Sequence, residues 1–304
     1  MTLKIHNTYP FRAEQLETFL YWIHERHQIY LLKEKGNRRP WSVDAVMNTV
    51  YFTNPYREND KVTKWFRVNM REPLRDDPIV AFTTIAFRRF NCIRTGEVLL
   101  AHHSHVAWKQ TKAYEAIKAA TQDIGFPYLS AAYMMTGKKD REKLLFFCEL
   151  LTAIYEDRKA LTRKLENCDT LEEGHTILQA LPYQGPFLAY ELITDLRHTY
   201  LFDQAPDIDT WCSFGPGSKR GINRLMYGSP ATTFINNSKE YTLALLQELL
   251  TVVRDRFPKM PHFEMCEIEH SLCEFDKYQR VAEGGRPKRW YPHHPKKQKT
   301  SAKQ

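Results

Sequence analysis

Hydrophobic residues recur every three or four positions along most of the chain, which is the spacing of one face of an α-helix. The pattern predicts a long helix over residues 11–35, which Gly36 ends, and another over residues 237–257. It also predicts a single long helix over residues 140–166. Apolar stripes of this kind, repeated through the chain, favour an all-α fold.

A shorter helix is predicted over residues 56–65, and its charged side chains fall on adjacent faces. Arg57 and Lys61 would lie one turn apart, with Asp60 on the neighbouring face. On composition alone, a solvent-exposed helix with surface ion pairs is the better interpretation.

A predicted helix that begins at Asp77-Pro78 is apolar nearly all round, yet it ends in two arginines. Arg88 and Arg89 need a paired partner or a polar cleft if that helix is buried, or they extend to the surface. The last predicted helix covers residues 267–280, and one of its faces carries Glu267, His270, Glu274 and Lys277. A charged outer face is the alternative interpretation there.

Residues 181–197 predict a helical hairpin. A tight turn at Gly185 leads into Pro186, which suits a first helical position because its missing N–H would be unpaired there. The buried stripe of this helix is predicted to comprise Phe187, Leu188, Leu192 and Leu196. Exposed N–H groups at such a helix start can bind phosphate. The turn over residues 215–218 predicts a second start of this kind.

The segments above resemble, in order along the chain, motifs of the alpha-glutamyl/putrescinyl thymine pyrophosphorylase family. These amino acid:DNA transferases, with which phages hypermodify thymine in DNA, are related to helix-hairpin-helix DNA glycosylases. The stretches that carry the resemblance are Phe52–Asp60, Phe87–Asn91, the hairpin with Thr194–Leu196 and Gly215–Gly217, and Cys273–Tyr278. One departure is that Tyr183 and Gln184 stand where the usual hairpin has a glycine and an apolar residue.

The resemblance implies a two-lobed, DNA-glycosylase-like helical fold with a central cleft, formed by residues 1–283. The implied substrate is double-stranded DNA that carries 5-pyrophosphoryloxymethyluracil, from which a small amine or amino acid displaces pyrophosphate. The modified base would leave the stack to reach the cleft. The resemblance implies no certain cofactor and no metal-ligand residue, but it leaves open a divalent metal that binds with the pyrophosphate.

Particular residues take roles from the same resemblance. The general base that deprotonates the incoming ammonium would be one of three carboxylates, Asp195, Asp60 and Glu274. The substrate and its pyrophosphate would be bound by Asn54, Tyr56, Arg57, Lys61, Arg88, Asn91, Arg220 and Lys277. The DNA backbone would be bound by Gly185, Pro186, Gly215, Gly217 and Ser218.

Composition predicts a basic C-terminal tail and indicates the cellular compartment. The chain has 304 residues and a formal net charge of +8, and seven cations with no acid follow residue 283. Residues 284–304 are therefore expected to form a disordered basic tail that attracts DNA or aids solubility. Six scattered cysteines and an N-terminus without an apolar leader indicate the cytoplasm, which would be that of a phage-infected bacterium. No apolar run in the sequence is long enough to span a membrane.

Other functions compete with the transferase. The sequence is also compatible with a DNA glycosylase that excises a modified pyrimidine, and with a non-catalytic DNA-binding module. A kinase that acts on hydroxymethyluracil in DNA, which shares related helical segments in the wider family, is disfavoured because the sequence contains no Gly-x-x-x-x-Gly-Lys-Ser/Thr phosphate loop. An iron–sulfur cluster is not expected, since the two cysteines that would have to follow Cys266 and Cys273 are missing.

Overall fold

The computed structural model describes residues 10–125, 127–130, 137–231, 238–287 and 290–291. This part of the chain is all-helical, as predicted, and contains thirteen α-helices. The helices are α1 Ala13–Glu34, α2 Ala45–Thr49, α3 Lys61–Phe66, α4 Val80–Phe90, α5 Ile93–Ala101, α6 Gln110–Ile124, α7 Lys143–Glu156, α8 Arg158–Glu166, α9 Leu171–Gln179, α10 Gly185–Leu196, α11 Pro216–Tyr227, α12 Lys239–Arg256 and α13 Met265–Ala282. Single turns of 3₁₀ or π helix cover Arg57–Asn59, Arg67–Arg71 and Glu72–Leu74.

The chain divides into two compact units. Unit 1 comprises Met1–Arg57, Phe214–Phe263 and Glu267–Gln304, and unit 2 comprises Glu58–Ser213 and Glu264–Cys266. The core of unit 1 is built from apolar faces of α1, α12 and α13, such as Phe19, Leu249 and Phe275. The core of unit 2 surrounds α4, every residue of which is buried.

Local sequence signals explain several helix ends. Thr170 caps α9 by accepting a hydrogen bond from the Glu173 N–H, and Glu173 returns the interaction in a capping box. Ser238 caps α12 by accepting from the Tyr241 N–H, and Pro186 occupies the first turn of α10. In the described residues, no helix is long and apolar enough to cross a membrane.

Three helical predictions need correction. The helix expected over residues 140–166 is two helices, because the backbone leaves helical geometry at Asp157. The helix expected over residues 56–65 is interrupted by the extended backbone of Asp60, so Arg57 and Lys61 do not share a helical face. In α10, Phe187 is 57% exposed, whereas Tyr190 and Glu191, which were not placed in the buried stripe, are buried.

Part of the segment expected to form the tail is described by the structure, namely residues 284–287 and 290–291. The backbone of Trp290 bridges Val50, and the Tyr291 ring is buried against Trp41 and Tyr51. The guanidinium of Arg39 lies 4.2 Å from the centroid of the Tyr291 ring. Aromatic burial therefore continues beyond the proposed boundary, since the tail contains rings as well as charges. Residues 292–304 lie outside the described residues.

Candidate active site

A buried ion pair joins α4 to α10 within unit 2. Arg88 donates from Nε to Oδ2 of Asp195 at 2.6 Å and from one terminal nitrogen to Oδ1 at 2.8 Å. Arg88 is 3% exposed and Asp195 is fully buried. Such a bidentate contact fixes the relative orientation of the guanidinium and carboxylate planes as well as their distance.

The remaining donors of Arg88 are also used. They contact Oδ1 of Asn91 at 2.8 Å and Oγ1 of Thr63 at 3.1 Å. Asn91 takes a left-handed backbone conformation directly after α4, which turns its side chain back toward the arginine. The apolar helix therefore tolerates Arg88 because each of its three guanidinium nitrogens donates to a partner.

A second ion pair adjoins the first. Arg71 is 1% exposed and donates to both carboxylate oxygens of Glu58, at 2.8 and 2.6 Å. It also lies 3.7 Å from Oδ1 of Asp195. Burial alone would raise the pKa of Glu58, but hydrogen bonds and charge from Arg71 lower it to about 2. Glu58 is therefore ionised at neutral pH.

The network reaches solvent around Glu58, whose side chain is 20% exposed. Arg67, 32% exposed, donates to Oε2 of Glu58 at 3.2 Å. Nε2 of His198, which is 30% exposed, lies 3.7 Å from Oε1 of Glu58. Burial lowers the pKa of His198 to about 4, so its imidazole is neutral at neutral pH.

We call Glu58, Arg71, Arg88, Asp195 and His198 the arginine–carboxylate network. Its buried end is held by reciprocal charge pairs, and its outer end presents a fixed carboxylate beside a neutral imidazole. A carboxylate of this kind attracts a cation, and the neutral imidazole beside it offers a hydrogen-bond acceptor without adding positive charge. The arrangement therefore suits binding of an ammonium group.

The sequence identified only part of this network. Arg88, Asn91 and Asp195 were predicted site residues, and the structure brings them together. Glu58 lies within the motif Phe52–Asp60, but the sequence assigns it no role, and Arg71 and His198 lie outside every motif of the resemblance. A sequence signal for Arg71 existed, because it follows Met70 in a turn whose apolar spacing continues from α3.

The other predicted residues of unit 2 lie at its surface or at helix starts. Asp60 directly precedes α3, and Lys61 is its exposed first residue. Gly185 has a φ of +61° and is exposed, as is Pro186. The start of α10 is thus open to solvent, as the prediction of a phosphate contact requires.

In unit 1, Glu274 and Lys277 bind the protein's own backbone. Oε2 of Glu274 accepts from the Thr53 N–H at 3.1 Å and from Nζ of Lys277 at 3.1 Å. Nζ of Lys277 also donates to the Tyr51 carbonyl at 2.6 Å. These contacts attach residues 51–53 to α13, so both side chains have a structural role in this state.

The motif after this segment is also buried in unit 1. Asn54, Tyr56 and Arg57 are each no more than 8% exposed. The Tyr56 hydroxyl donates to the Pro261 carbonyl at 2.6 Å. Burial, with the charge of Glu267, raises the pKa of Tyr56, so this hydroxyl stays protonated.

The residues of the turn before α11 that were predicted to contact DNA differ in their exposure. Gly217 and Ser218 are buried, and a Cβ on Gly217 would collide with Sγ of Cys273. Ser218 donates to the Gly215 carbonyl at 3.0 Å. Gly217 therefore allows α11 to approach α13, whereas the Cβ position of Gly215 has no heavy atom within 4 Å. Arg220 is half exposed and pairs with Asp276 at 2.8 Å.

Comparisons with known proteins give a family for this chain. Residues 13–285 match the model of the family described as "5-hmdU DNA kinase, helical domain". A curated relative, the 5-hmdU DNA kinase of Bacillus phage SP10, is 25% identical over 223 residues, which cover 65% of this chain and 34% of the relative. The chain thus spans about a third of the length of that relative. No solved structure matches significantly.

Proposed function

The chain belongs to the 5-hmdU DNA kinase helical-domain family, and we propose that it acts in the hypermodification of thymine in phage DNA. The support is the match over residues 13–285 together with the activity for which the phage relative is named. Its substrate would be DNA that carries 5-hydroxymethyluracil or a phosphorylated derivative. The match covers unit 2 entirely, including the arginine–carboxylate network.

The reaction that we propose is displacement of pyrophosphate from 5-pyrophosphoryloxymethyluracil by an amine. The amine nitrogen forms a bond to the methylene carbon, and the carbon–oxygen bond to pyrophosphate breaks with its electron pair. The ammonium form of the amine must first lose a proton, because only the free amine has a lone pair to donate. The single observation that carries this reaction is the ionised Glu58 beside the neutral His198.

Within this reaction, Glu58 would bind the ammonium, His198 would accept a hydrogen bond from it, and the proton would pass to solvent water before the free amine attacks. Asp195 fits poorly as the base in this state, because both of its oxygens accept hydrogen bonds from Arg88. It would instead orient Arg88 and Arg71, which fixes Glu58 in turn. Asp60 remains a second candidate base.

Cations would stabilise the charge that develops on the leaving pyrophosphate. Arg67 is the cation at the outer end of the network, and Lys61 is exposed in the same unit. Arg88 would act indirectly, since its donors are occupied by Asp195, Asn91 and Thr63. The start of α10 at Gly185 and Pro186 would bind a DNA phosphate, and the extruded base would approach the network.

Mass spectrometry of nucleosides tests the reaction. DNA with 5-pyrophosphoryloxymethyluracil is incubated with the protein and a mixture of amines and amino acids, with and without Mg²⁺. The expected product carries one amine in place of pyrophosphate, and Glu58→Gln should reduce its formation at least tenfold. Unchanged nucleosides under every condition would refute the transferase, and abasic sites would show a glycosylase instead.

Phosphorylation of 5-hydroxymethyluracil is a second candidate, favoured by the names of the family and of the phage relative. Against it, the sequence has no Gly-x-x-x-x-Gly-Lys-Ser/Thr loop to hold the phosphates of a nucleotide. Incubation of 5-hydroxymethyluracil DNA with radiolabelled ATP separates the two. Transfer of label to DNA by the chain alone would support the kinase.

A further inference from the structure

Two large aromatic side chains stand exposed around the turn between α9 and α10. Tyr183 is 54% exposed and Phe187 is 57% exposed. They stand two residues before and two residues after Gly185 in the sequence. Exposed apolar side chains grouped on one segment commonly mark a binding surface.

The turn that carries these rings is held by hydrogen bonds from a buried arginine. Arg89 donates to the Tyr183 carbonyl at 3.1 Å and to the side-chain oxygen of Gln184 at 2.7 Å. Tyr183 has a φ of +56°, and its ring packs edge-on against Phe146 with the centroids 4.9 Å apart. The exposed ring of Tyr183 is therefore held in place before any partner arrives, which reduces the entropic cost of binding.

Positive charge surrounds the same turn. Arg89 is 3% exposed, and among the described residues no carboxylate pairs with it. Burial lowers the pKa of Arg89 to about 10, so it remains charged at neutral pH. Nζ of Lys143 and the Arg89 guanidinium lie 5.7 and 5.8 Å from the centroid of the Phe147 ring, so both cations lie near the same ring, and Arg89 also contacts the turn.

Further lysines adjoin Lys143. Gly137 packs so closely on the Lys143 stem that an added Cβ would lie 3.1 Å from its Cγ. Lys138 and Lys139 follow directly and are exposed. We call Tyr183, Phe187, Lys138, Lys139 and Lys143 the hairpin surface.

We infer that the hairpin surface binds a DNA strand, with an unpaired base stacked on Tyr183 and Phe187 and with Lys138, Lys139 and Lys143 at the phosphates. Base–aromatic stacking combined with clustered cations is how proteins bind strands without reading their sequence. Stacking on the two rings would offset the cost of unstacking a base from the duplex. The inference rests on the proposed function in taking DNA as the partner, and it adds side chains to the backbone contact expected at Gly185.

Fluorescence anisotropy with labelled DNA tests the stacking. The probes are a duplex with one unpaired thymine and the matching fully paired duplex. Phe187→Ala removes one ring, and Tyr183→Asn removes the other while tolerating the left-handed backbone. Each variant should bind the unpaired duplex about five- to a hundredfold more weakly, with an unchanged dependence on salt. Parent-like affinity in both variants would overturn the inference.

The lysines are tested by their salt dependence. Lys138→Gln with Lys139→Gln should reduce the slope of log affinity against log salt by about 2. The matched control is Lys159→Gln with Lys164→Gln, which removes the same charge from exposed positions of α8. Equal effects of the two pairs would show that only net charge matters and would overturn the assigned phosphate contacts.

The binding assay separates this inference from the proposed reaction. It contains neither an amine nor a phosphorylated base, so failure of the transferase assay leaves its outcome intact. Conversely, the Phe187→Ala and Tyr183→Asn variants should bind DNA more weakly but still transfer the amine at saturating DNA. That result would support the hairpin surface as a DNA-binding site separate from the reacting groups. Thermal melts of each variant confirm that the fold is retained.

Discussion

Arg88 and Asp195 meet through two parallel hydrogen bonds, of 2.6 and 2.8 Å, at a place where neither side chain is more than 3% exposed. Removing the charge of one partner leaves the other buried without compensation. Here the cost is increased by Arg71, which also faces Asp195 at 3.7 Å. The stability of unit 2 is therefore expected to be highly sensitive to substitution of either Arg88 or Asp195.

Asp195→Asn should lower the free energy of unfolding by about 3–5 kcal/mol, as measured by urea denaturation. The control is Asp203→Asn, which breaks the more exposed pair with Arg75 and should have a much smaller effect, because solvent screens that pair. Similar losses in the two variants would contradict the view that burial gives the Arg88–Asp195 pair its importance.

Stability should fall in acid as Glu58 is protonated. Its folded pKa of about 2 lies below the ordinary value of 4.5, so its contribution to stability is complete above about pH 4.5 and is lost as the pH falls toward 2. Glu58→Gln should therefore flatten the loss of stability between these limits, as measured by denaturation from pH 5 to 2. An equally steep loss in the variant would show that other carboxylates control acid unfolding.

The class of fold could be predicted from sequence because helical periodicity is a local signal. The same signal failed at Asp157 and Asp60, where a single residue changes backbone direction without a proline or glycine. It also placed Phe187 in the core, since spacing identifies an apolar face but does not say whether another element covers it.

The sequence predicts site residues only where a charged residue follows a long apolar run, since such a residue needs a partner if it is buried. Arg88 was singled out for that reason, and its partner Asp195 was selected from the resemblance. The link from Arg71 to Glu58 joins residues of a turn whose geometry depends on tertiary packing, so spacing could not reveal it. His198 follows a helix end, and its low pKa arises from burial that no local pattern encodes.

His198 should titrate far below an ordinary histidine. Burial outweighs the attraction of Glu58 and lowers its pKa from 6.5 to about 4. Two-dimensional NMR of the imidazole carbons and nitrogens, from pH 7.5 to 4, should show His198 neutral down to about pH 5. A midpoint near 6.5 would show that burial does not hold the His198 imidazole neutral beside Glu58 through the acid range.

Gly221 in α11 lies against α13 so closely that a Cβ would sit 2.4 Å from the Leu272 carbonyl oxygen. In an isolated helix, Gly221→Ala would stabilise the helical state by about 1 kcal/mol. The collision is with backbone, which cannot rotate away, so the variant should instead lose about 1–3 kcal/mol of stability. Gly215→Ala is the control, because no heavy atom lies within 4 Å of its Cβ position and the loss of a favourable helix cap should cost no more than about 1 kcal/mol. Chemical denaturation of both variants measures the difference, and a stabilised Gly221→Ala protein would show that α11 can move away from α13.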